Sequence, residues 1–314
     1  MSAARPRRPS PSGVLVIDKP RGPTSHDVVA RIRRALGTRE VGHAGTLDPM
    51  ATGVLVVAVG QATKLVPWLT AHEKAYEATI ALGVETDTLD AEGRETGRAP
   101  LDAALMQALA ESRGPSVAPR LRGALEAERA RTSQVPPAFS AIQKDGERAY
   151  AKARRGEAVE LEPREVRVHL LDLVACSDDP PFLTVRVEAD KGYYVRSLAR
   201  DLALALATLG HLTSLRRTRS GCFTLEEALP LDTPDDELAA RVEHLARAAS
   251  RALPVARLSE VGSRDAHHGR PVQPADIDAP SQGPCAWLDP HGELVAVGEL
   301  GEAGVGRVLR GFGP

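Results

Sequence analysis

One acidic residue stands out in the stretch GHAGTLDPMATGVL, which covers residues 42–55. Asp48 lies between Leu47 and Pro49, directly before an apolar run, and glycines occur on both sides of it. A carboxylate at the edge of a hydrophobic core is costly unless it is paired with a cation or takes part in chemistry. Four interpretations of Asp48 compete: a phosphate-binding loop, a metal site, a structural turn and a catalytic carboxylate.

Two of these interpretations need partner residues that the sequence does not place nearby. A Walker A phosphate-binding loop ends in Gly-Lys-Ser or Gly-Lys-Thr, and neither that ending nor a G-x-G-x-x-G pattern occurs in this stretch. A metal site would join Asp48 to His43, but no third ligand follows in the neighbouring sequence, and the adjacent pair His267 and His268 lies far along the chain. We therefore predict no metal and no cofactor.

The remaining interpretations are an Asp-Pro turn and a catalytic carboxylate. Aspartate side chains bond to their own backbone in turns, so this stretch taken alone favours the turn. A single carboxylate can act as a nucleophile if it stays ionised, which a nearby cation ensures. Glycosidases typically use two carboxylates, and no second acid of this sequence has a comparable setting. If Asp48 is catalytic, it works alone and needs a cation from elsewhere in the chain.

The composition limits the class of protein. The chain has 314 residues, 42% hydrophobic and 26% charged, which is enough for one large and one small domain. No apolar run reaches the ~20 residues that span a membrane, and the first residues lack the apolar core of a secretory signal. The three cysteines include no close pair, which fits a reducing compartment. We expect a cytoplasmic protein that binds no membrane.

The charges are segregated along the chain, although the net charge is only −2. Residues 1–75 hold 11 Lys and Arg against 5 Asp and Glu, and residues 191–219 hold 6 against 1. Residues 220–314 hold 8 against 15, including an acidic, helix-prone stretch at 230–250. A polyanion could bind the first two regions, but a solvated charged surface explains them equally well.

Hydrophobic periodicity predicts the elements that position these residues. Apolar runs and alternation predict strands at residues 14–18, 54–59, 76–82, 164–173 and 182–190. Helical spacing predicts helices at residues 25–36, 101–130 and 194–209. Ser25 is the predicted N-cap of the first helix and Gly37 its C-terminal stop, while Gly210 is the predicted stop of the last. Residues 42–53 are predicted to form a loop.

The order of these elements predicts the fold class and the domains. Strands and helices are mixed without strict alternation, which predicts an α+β fold with a mixed, largely antiparallel sheet flanked by helices. From about residue 251 the sequence becomes rich in turns, with one hairpin around residues 290–292. We expect a disordered basic tail at residues 1–12, a main domain at 13–250 and a small β-rich domain at 251–314.

Five stretches, in the same order along the chain, resemble the motifs of the TruB family of tRNA pseudouridine synthases, which modify uridine 55 in the T loop. They are DKPRGPTSHDVV from residue 18, GHAGTLDPMATGVL from 42, KAYEA from 74, VPPAFSA from 135 with GERAY from 146, and KGYYVRSLARDL from 191. Before the last motif, Ala189 and Asp190 replace a Cys-Ser pair that is common in the family. The resemblance covers residues 13–220 and implies a pseudouridine synthase fold, with a PUA-like RNA-binding domain at 251–314.

The resemblance also implies roles for particular residues. Asp48 is then the catalytic nucleophile, and Arg196 is the arginine that pairs with it and keeps it ionised. Tyr76 matches the tyrosine that stacks on the flipped uracil, and Tyr194 packs against the site. Each residue also has a structural alternative, which is a surface ion pair for Arg196 and a place in the core for the two tyrosines.

A uridine inside a folded loop must leave its stack before it reacts, and by resemblance His43 fills the space that it vacates in the RNA. Lys19 and Lys64 would make phosphate or structural contacts, and phosphate contacts are also expected from five arginines: Arg31, Arg33, Arg34, Arg154 and Arg155. The expected partner is the T arm of tRNA, bound by a monomer without a protein partner. Two alternatives remain, a non-catalytic RNA-binding or RNA-folding protein and an enzyme that depends on a guide RNA.

Overall fold

The computed structural model describes residues 11–112, 116–140, 142–144, 147–155, 157, 159–279 and 283–313. The chain divides into two compact units. Unit 1 consists of Met1–Asp48, Gly53–Ala71 and Gly221–Pro314, and unit 2 consists of Pro49–Thr52 and His72–Ser220. Most of the predicted tail at 1–12 lies outside the described residues. The tail and the domain boundary near residue 250 both stay predictions.

The N-terminal segment of unit 1 places the stretch that contains Asp48. Its elements are β1 (Gly13–Lys19), α1 (Ser25–Leu36), β2 (Val41–Ala44), β3 (Thr52–Val59), a 3-10 turn (Gly60–Leu65) and α2 (Val66–Leu69). β3 pairs antiparallel with both β1 and β2. Residues 54–59 are fully buried, as the continuous apolar run predicts for a central strand. The predicted loop at 42–53 is too long at both ends, because residues 42–44 belong to β2 and residues 52–53 belong to β3. Glycine and histidine in β2 gave no strand signal.

The caps of α1 confirm one sequence prediction and correct another. Gly37 has a φ of 61°, and its N–H bonds to the carbonyls of Arg33 and Arg34, so it ends the helix as predicted. The N-cap is Thr24 instead of Ser25, and Thr24 forms a reciprocal capping box with Asp27. The cap lies one residue earlier because the Ser25 side chain bonds to another part of the chain.

Unit 2 is built on an antiparallel sheet. Its elements are β4 (Lys74–Leu82), β5 (Val84–Thr86), β6 (Glu95–Arg98), α3 (Ala103–Glu111), α4 (Pro119–Arg129), β7 (Ser133–Gln134), β8 (Gln143–Lys144), β9 (Glu147–Arg148), α5 (Ala149–Arg154), β10 (Arg164–Glu165), β11 (Val168–Asp178), β12 (Pro181–Ala189), α6 (Val195–Ala205) and β13 (Gly210–Ser220). The strands follow the order β11, β12, β4, β13. The predicted strands at 76–82 and 182–190 are confirmed, and the predicted helix at 101–130 is two helices, α3 and α4.

The end of α6 corrects the predicted stop at Gly210. The helix ends at Ala205, and Ala207 has a left-handed φ of 61°. Gly210 is instead the first residue of β13, where a Cβ atom would lie 2.8 Å from the Cβ of Ala203 and 3.0 Å from the carbonyl oxygen of Ala81. Glycine is therefore required at this position by the close approach of the strand to α6 and β4.

The C-terminal segment of unit 1 adds a second sheet. Its elements are β14 (Phe223–Thr224), β15 (Leu229–Pro230), α7 (Asp235–Ala240), β16 (Glu243–His244), α8 (Leu245–Ala252), β17 (Val255–Leu258), α9 (Glu260–His267), β18 (Ile277–Asp278), β19 (Cys285–Leu288), β20 (Leu294–Leu300) and β21 (Gly306–Gly311). The strand order is β18, β17, β19, β20, β21, and the predicted hairpin is β19 with β20. One buried cluster joins this sheet to β1, β3 and α8 through Val14, Val56, Ala249, Val297 and Phe312.

The α+β fold class with a mixed, largely antiparallel sheet is confirmed. The parallel strand pairs are β1 with β15 and β17 with β19, and the other ladders described above are antiparallel. Among the described residues, no helix combines the length and the apolar character needed to cross a membrane.

Candidate active site

Asp48 lies in unit 1, in the short connection between β2 and β3. It is half-buried, and Leu47 before it is buried. Two glycines bracket this connection with left-handed backbone, Gly45 at a φ of 97° and Gly53 at a φ of 100°. These angles are favourable only for glycine, so the turn depends on both residues. The result is a carboxylate on a tight connection between two strands.

A buried serine fixes the residue that precedes Asp48. The Leu47 N–H donates to the Ser25 Oγ at 2.9 Å, and the Ser25 hydroxyl donates to the Leu47 carbonyl at 3.0 Å. Ser25 is only 1% exposed, so both bonds are shielded from water. One hydroxyl thus satisfies both polar groups of a buried peptide residue. This role is not evident from the sequence, because Ser25 is also a plausible helix cap.

His43 lies on β2 and packs against a second histidine. The ring of His26, at the start of α1, meets the His43 ring at a centroid distance of 5.4 Å and an interplanar angle of 86°. This edge-to-face arrangement is favourable for aromatic rings. His43 is half-buried and His26 is exposed. The proposed RNA contact of His43 stays a prediction.

Tyr76 lies in unit 2, on the central strand β4. It is half-buried, and its cross-strand neighbours are Val187 on β12 and Arg217 on β13. Val187 is fully buried and Arg217 is 1% exposed, so the tyrosine stands beside one apolar and one charged buried side chain. Directly opposed residues share a face of an antiparallel sheet. These mixed surroundings fit a tyrosine that lines an active site, and they also fit a tyrosine at the edge of the hydrophobic core.

Lys74 shares this face of β4 with Tyr76, because side chains two residues apart in a strand point the same way. It is 7% exposed, and its Nζ donates to the His72 carbonyl at 2.7 Å. Burial, together with the neighbouring charges of Arg217 and Lys191, lowers the pKa of Lys74 to about 8. The face that carries Tyr76 is therefore rich in positive charge.

Arg196 lies in the first turn of α6 and is held by several acceptors of unit 2. Its Nη1 donates to the Thr88 carbonyl at 3.1 Å, and its Nη2 donates to the Phe139 carbonyl at 2.9 Å. Its Nε lies 3.9 Å from a carboxylate oxygen of Asp90. Because Arg196 is 7% exposed, these contacts fix the plane of the guanidinium group.

Asp90 is a buried acid that the sequence analysis did not single out. The Thr88 hydroxyl donates to its Oδ1 at 2.6 Å, and the Glu92 N–H donates to the same oxygen at 3.0 Å. The other carboxylate oxygen faces the Arg196 Nε. The signal in the sequence was weak, because Asp90 lies in the polar stretch ETDTLDAEG, where several acids look alike.

Tyr194 precedes Arg196 as the N-cap residue of α6. It is half-buried, whereas its neighbour Tyr193 is buried and donates to Glu128 at 2.9 Å. Burial raises the pKa of the Glu128 carboxyl despite its bond to Arg131. Tyr193 is thus the tyrosine anchored in the core.

The assignment of Tyr194, Tyr76 and Arg196 to catalysis, and the pairing of Asp48 with Arg196, stay predictions.

The two lysines that are candidate RNA contacts both bond within the chain, and their RNA contacts stay predictions. Lys19 is fully buried, and its Nζ donates to the Pro20 carbonyl at 3.0 Å. Lys64 donates to Gln61 at 2.6 Å and to the Gly311 carbonyl at 3.2 Å. It therefore ties β21 to the 3-10 turn after β3.

Three of the five candidate RNA-binding arginines have partners within the chain. Arg31 pairs with Asp235 at 2.7 Å, which gives the acidic stretch at 230–250 a contact with α1, and Arg33 donates to the Val41 carbonyl at 2.8 Å. Arg34 is exposed. Arg155 pairs with Glu147 and Glu157, each at 2.6 Å. Arg154 is the last residue of α5, and its side chain lies outside the part that the structure describes.

One cluster among the described residues has the composition of a metal site. Glu73, His169 and Asp190 offer ligand atoms within 4.8 Å of one another. His169 already bonds to Asp190 at 2.7 Å, and Glu73 accepts from Arg219 at 3.4 Å. A hydrogen bond and an ion pair therefore account for the cluster, and the prediction of no metal stays a prediction.

Comparison with known proteins identifies the family. Residues 33–195 match the model of the TruB family pseudouridylate synthase N-terminal domain, and residues 196–255 match the tRNA pseudouridylate synthase B C-terminal domain. The tRNA pseudouridine synthase B of Thermobifida fusca is 48% identical over 295 residues, covering 91% of this chain and 94% of that protein. That of Mycobacterium sp. (strain KMS) is 46% identical over 292 residues, covering 92% of each chain.

A solved structure supports the same assignment at the level of the fold. A chain in the crystal structure of a Cbf5-Nop10-Gar1 complex superposes with a TM-score of 0.71 and 25% sequence identity, covering 98% of this chain and 87% of that chain. The family models, the relatives and the fold agree with the motifs in the sequence. The chain belongs to the TruB family of pseudouridine synthases.

Proposed function

We propose that this enzyme converts uridine 55 in the T loop of tRNA to pseudouridine, with Asp48 as the catalytic nucleophile. The relatives that carry the name tRNA pseudouridine synthase B support tRNA as the substrate. The observation that carries the proposal is the setting of Asp48, a half-buried acid whose preceding residue is clamped by buried Ser25. A rigid loop holds a reacting group in one position, which is what nucleophilic attack requires.

The reaction is an isomerisation of the nucleotide. The bond between N1 of uracil and C1′ of ribose breaks, the base turns, and C5 forms a new bond to C1′ while its proton moves to a nitrogen of the base. All atoms are retained, so the reaction needs neither a redox cofactor nor an energy donor. One carboxylate suffices as the nucleophile.

The surroundings of Arg196 and Tyr76 fit the remaining parts of this proposal. A guanidinium group fixed by the Thr88 and Phe139 carbonyls is a cation of defined orientation, suited to keep a carboxylate ionised. Tyr76, half-buried beside Val187, offers a ring for a flipped uracil. Exposed Arg34 and the small C-terminal sheet within residues 251–314 are the proposed contacts for the RNA backbone.

The deciding experiment uses the purified protein and an unmodified tRNA transcript, without any guide RNA. We expect one pseudouridine at position 55, and none in a transcript that carries cytidine there. Binding without modification would favour an RNA-folding protein. Modification only with an added guide RNA would favour the guide-dependent alternative, which is suggested by similarity to a Nop10-Cbf5 complex of an archaeal box H/ACA sRNP. The near full-length match to relatives named tRNA pseudouridine synthase B favours the first outcome.

A further inference from the structure

Residues 134–139, here called the proline segment, run along the start of α6. The sequence QVPPAF contains two prolines, both buried, which stiffen the segment. The helix start contributes donors from Ser197 and Arg200, which bond to the Val135 carbonyl at 2.8 Å and 3.1 Å. Arg196 bonds to the carbonyl of Phe139 at 2.9 Å. The first turn of α6 and the proline segment therefore fix each other.

Gln134, the first residue of the proline segment, bonds to Tyr194 through both ends of its side-chain amide. Its Oε1 accepts the Tyr194 N–H at 2.9 Å, and its Nε2 donates to the Tyr194 carbonyl at 3.2 Å. Gln134 is 2% exposed, so both bonds are shielded from water. Among the side chains of this length, only an amide supplies a donor and an acceptor together at every pH.

Tyr194 needs this contact because of its place in the helix. It is the N-cap residue of α6, and its own side chain makes no capping hydrogen bond. The first N–H groups of a helix lack partners within the helix. The Gln134 amide therefore satisfies the Tyr194 N–H from a different element, and it sets the angle at which α6 begins.

We propose that Gln134 is a positioning residue for pseudouridine formation, acting through Tyr194 and Arg196. It fixes the peptide at Tyr194, two residues before Arg196, and it anchors the proline segment whose Phe139 carbonyl holds the guanidinium. This inference rests on the proposed function, because it assigns Gln134 to that reaction. It adds an uncharged residue that acts through its bonds to Tyr194.

The test replaces Gln134 with methionine, which has a similar length but cannot make the two bonds. Tyr194 then loses its two bonds to the Gln134 amide, and the start of α6 shifts or loosens. We expect kcat, measured at saturating tRNA, to fall about tenfold or more, with unchanged affinity for tRNA. Ser133→Ala is the matched control, because Ser133 is the exposed neighbour on β7, and its rate and melting temperature should not change.

A double-mutant cycle separates positioning from a general loss of stability. If Gln134 acts by positioning Arg196, then adding Gln134→Met to a protein that already carries Arg196→Lys lowers kcat little further. A general structural defect would instead multiply the two losses. Ser197→Ala removes another bond to the proline segment, and it serves as the second variant if Gln134→Met does not fold.

The outcomes are distinct. An unchanged kcat in folded Gln134→Met or Ser197→Ala protein would overturn the assignment, as would full additivity with Arg196→Lys or a loss confined to tRNA affinity. Wild-type protein without any activity on tRNA would overturn the proposed function and this inference with it. An active wild type with a non-additive loss of kcat supports both.

Discussion

The two regions that carry the candidate catalytic charges are held in different ways. In unit 1 the residue before Asp48 is clamped by one hydroxyl, that of Ser25, and the backbone turns at Gly45 and Gly53. In unit 2 Arg196 is held by acceptors from separate segments, the carbonyls of Thr88 and Phe139 and the Asp90 carboxylate. The acid thus depends on one short stretch and one serine, whereas the arginine depends on distant parts of the chain.

This difference predicts how each region responds to damage. Loss of one acceptor around Arg196 leaves the others in place, so the guanidinium keeps part of its orientation. Loss of the Ser25 hydroxyl removes both bonds of Leu47 at once, because a single group makes them. The loop at Asp48 is therefore the more fragile of the two, and the arginine is the more constrained.

The largest effect is expected from Asp48→Asn. The amide has nearly the shape of the carboxylate but is a far weaker nucleophile, so pseudouridine formation should be abolished. Binding to tRNA should stay within several-fold of wild type, since phosphate contacts dominate affinity. Single-turnover assays and filter binding measure the two quantities. Normal turnover by the variant would remove Asp48 from the chemistry.

Arg196→Lys should have the next largest effect. A lysine cannot bond to the Thr88 and Phe139 carbonyls in the plane of a guanidinium group. We expect kcat to fall about 100-fold, the equivalent of leaving two half-buried acceptors poorly satisfied. Arg98→Lys is the matched control, because Arg98 forms an exposed ion pair with Glu95 in the same unit. Equal rates for the two variants would contradict the role of Arg196.

The same contrast explains which parts of the site could be predicted from the sequence. Asp48 was found because its glycines, its proline and the apolar strand after it are contiguous. Asp90 and Gln134 were missed because their partners are distant in the sequence. Gln134 lies 60 residues before Tyr194, and Asp90 lies still further before Arg196. Contacts of this kind depend on how the sheet folds, so a local sequence pattern does not predict them.

The fold followed the same rule. Strands with strong apolar patterns were predicted well, as β3 and β12 show. Two errors occurred where tertiary contacts override local signals. The Ser25 hydroxyl bonds to Leu47 instead of capping α1, and Gly210 allows close packing instead of ending α6. The α+β class depended on the sum of many elements, so these local errors did not affect it.

Ser25→Ala tests the loop at Asp48, because it removes the hydroxyl that bonds to Leu47. It leaves the buried N–H and carbonyl of Leu47 without their partner, which should lower the free energy of unfolding by about 2 kcal/mol. The rate should fall about tenfold, because Asp48 is no longer held in one position. Denaturant unfolding and single-turnover assays measure these effects.

Thr24→Ala provides the matched control for Ser25→Ala. Thr24 is the adjacent residue and the true N-cap of α1, so its loss should cost about 1 kcal/mol of stability. The rate should stay at the wild-type level, because Thr24 makes no contact with the loop at Asp48 that the structure describes. If both variants lose activity in proportion to stability, the clamp has no special role in catalysis.

The smallest effect concerns the charge on β4 in unit 2. Burial and repulsion from Arg217 and Lys191 together lower the pKa of Lys74 from 10.5 to about 8. Between these two values the unfolded chain holds the proton and the folded protein releases it, so stability rises with pH. Below pH 8 both states are charged, and the full cost of burying the cation remains.

Lys74→Met removes this titration. The stability of wild type relative to the variant should therefore increase by about 1 kcal/mol between pH 8 and pH 9, measured by denaturant unfolding at each pH. A difference that stays flat over this range would mean that Lys74 keeps its ordinary pKa. A rise at the predicted pH would mean that the face beside Tyr76 is held at a cost in stability, unlike the loop at Asp48, where the described contacts of Leu47 are all favourable.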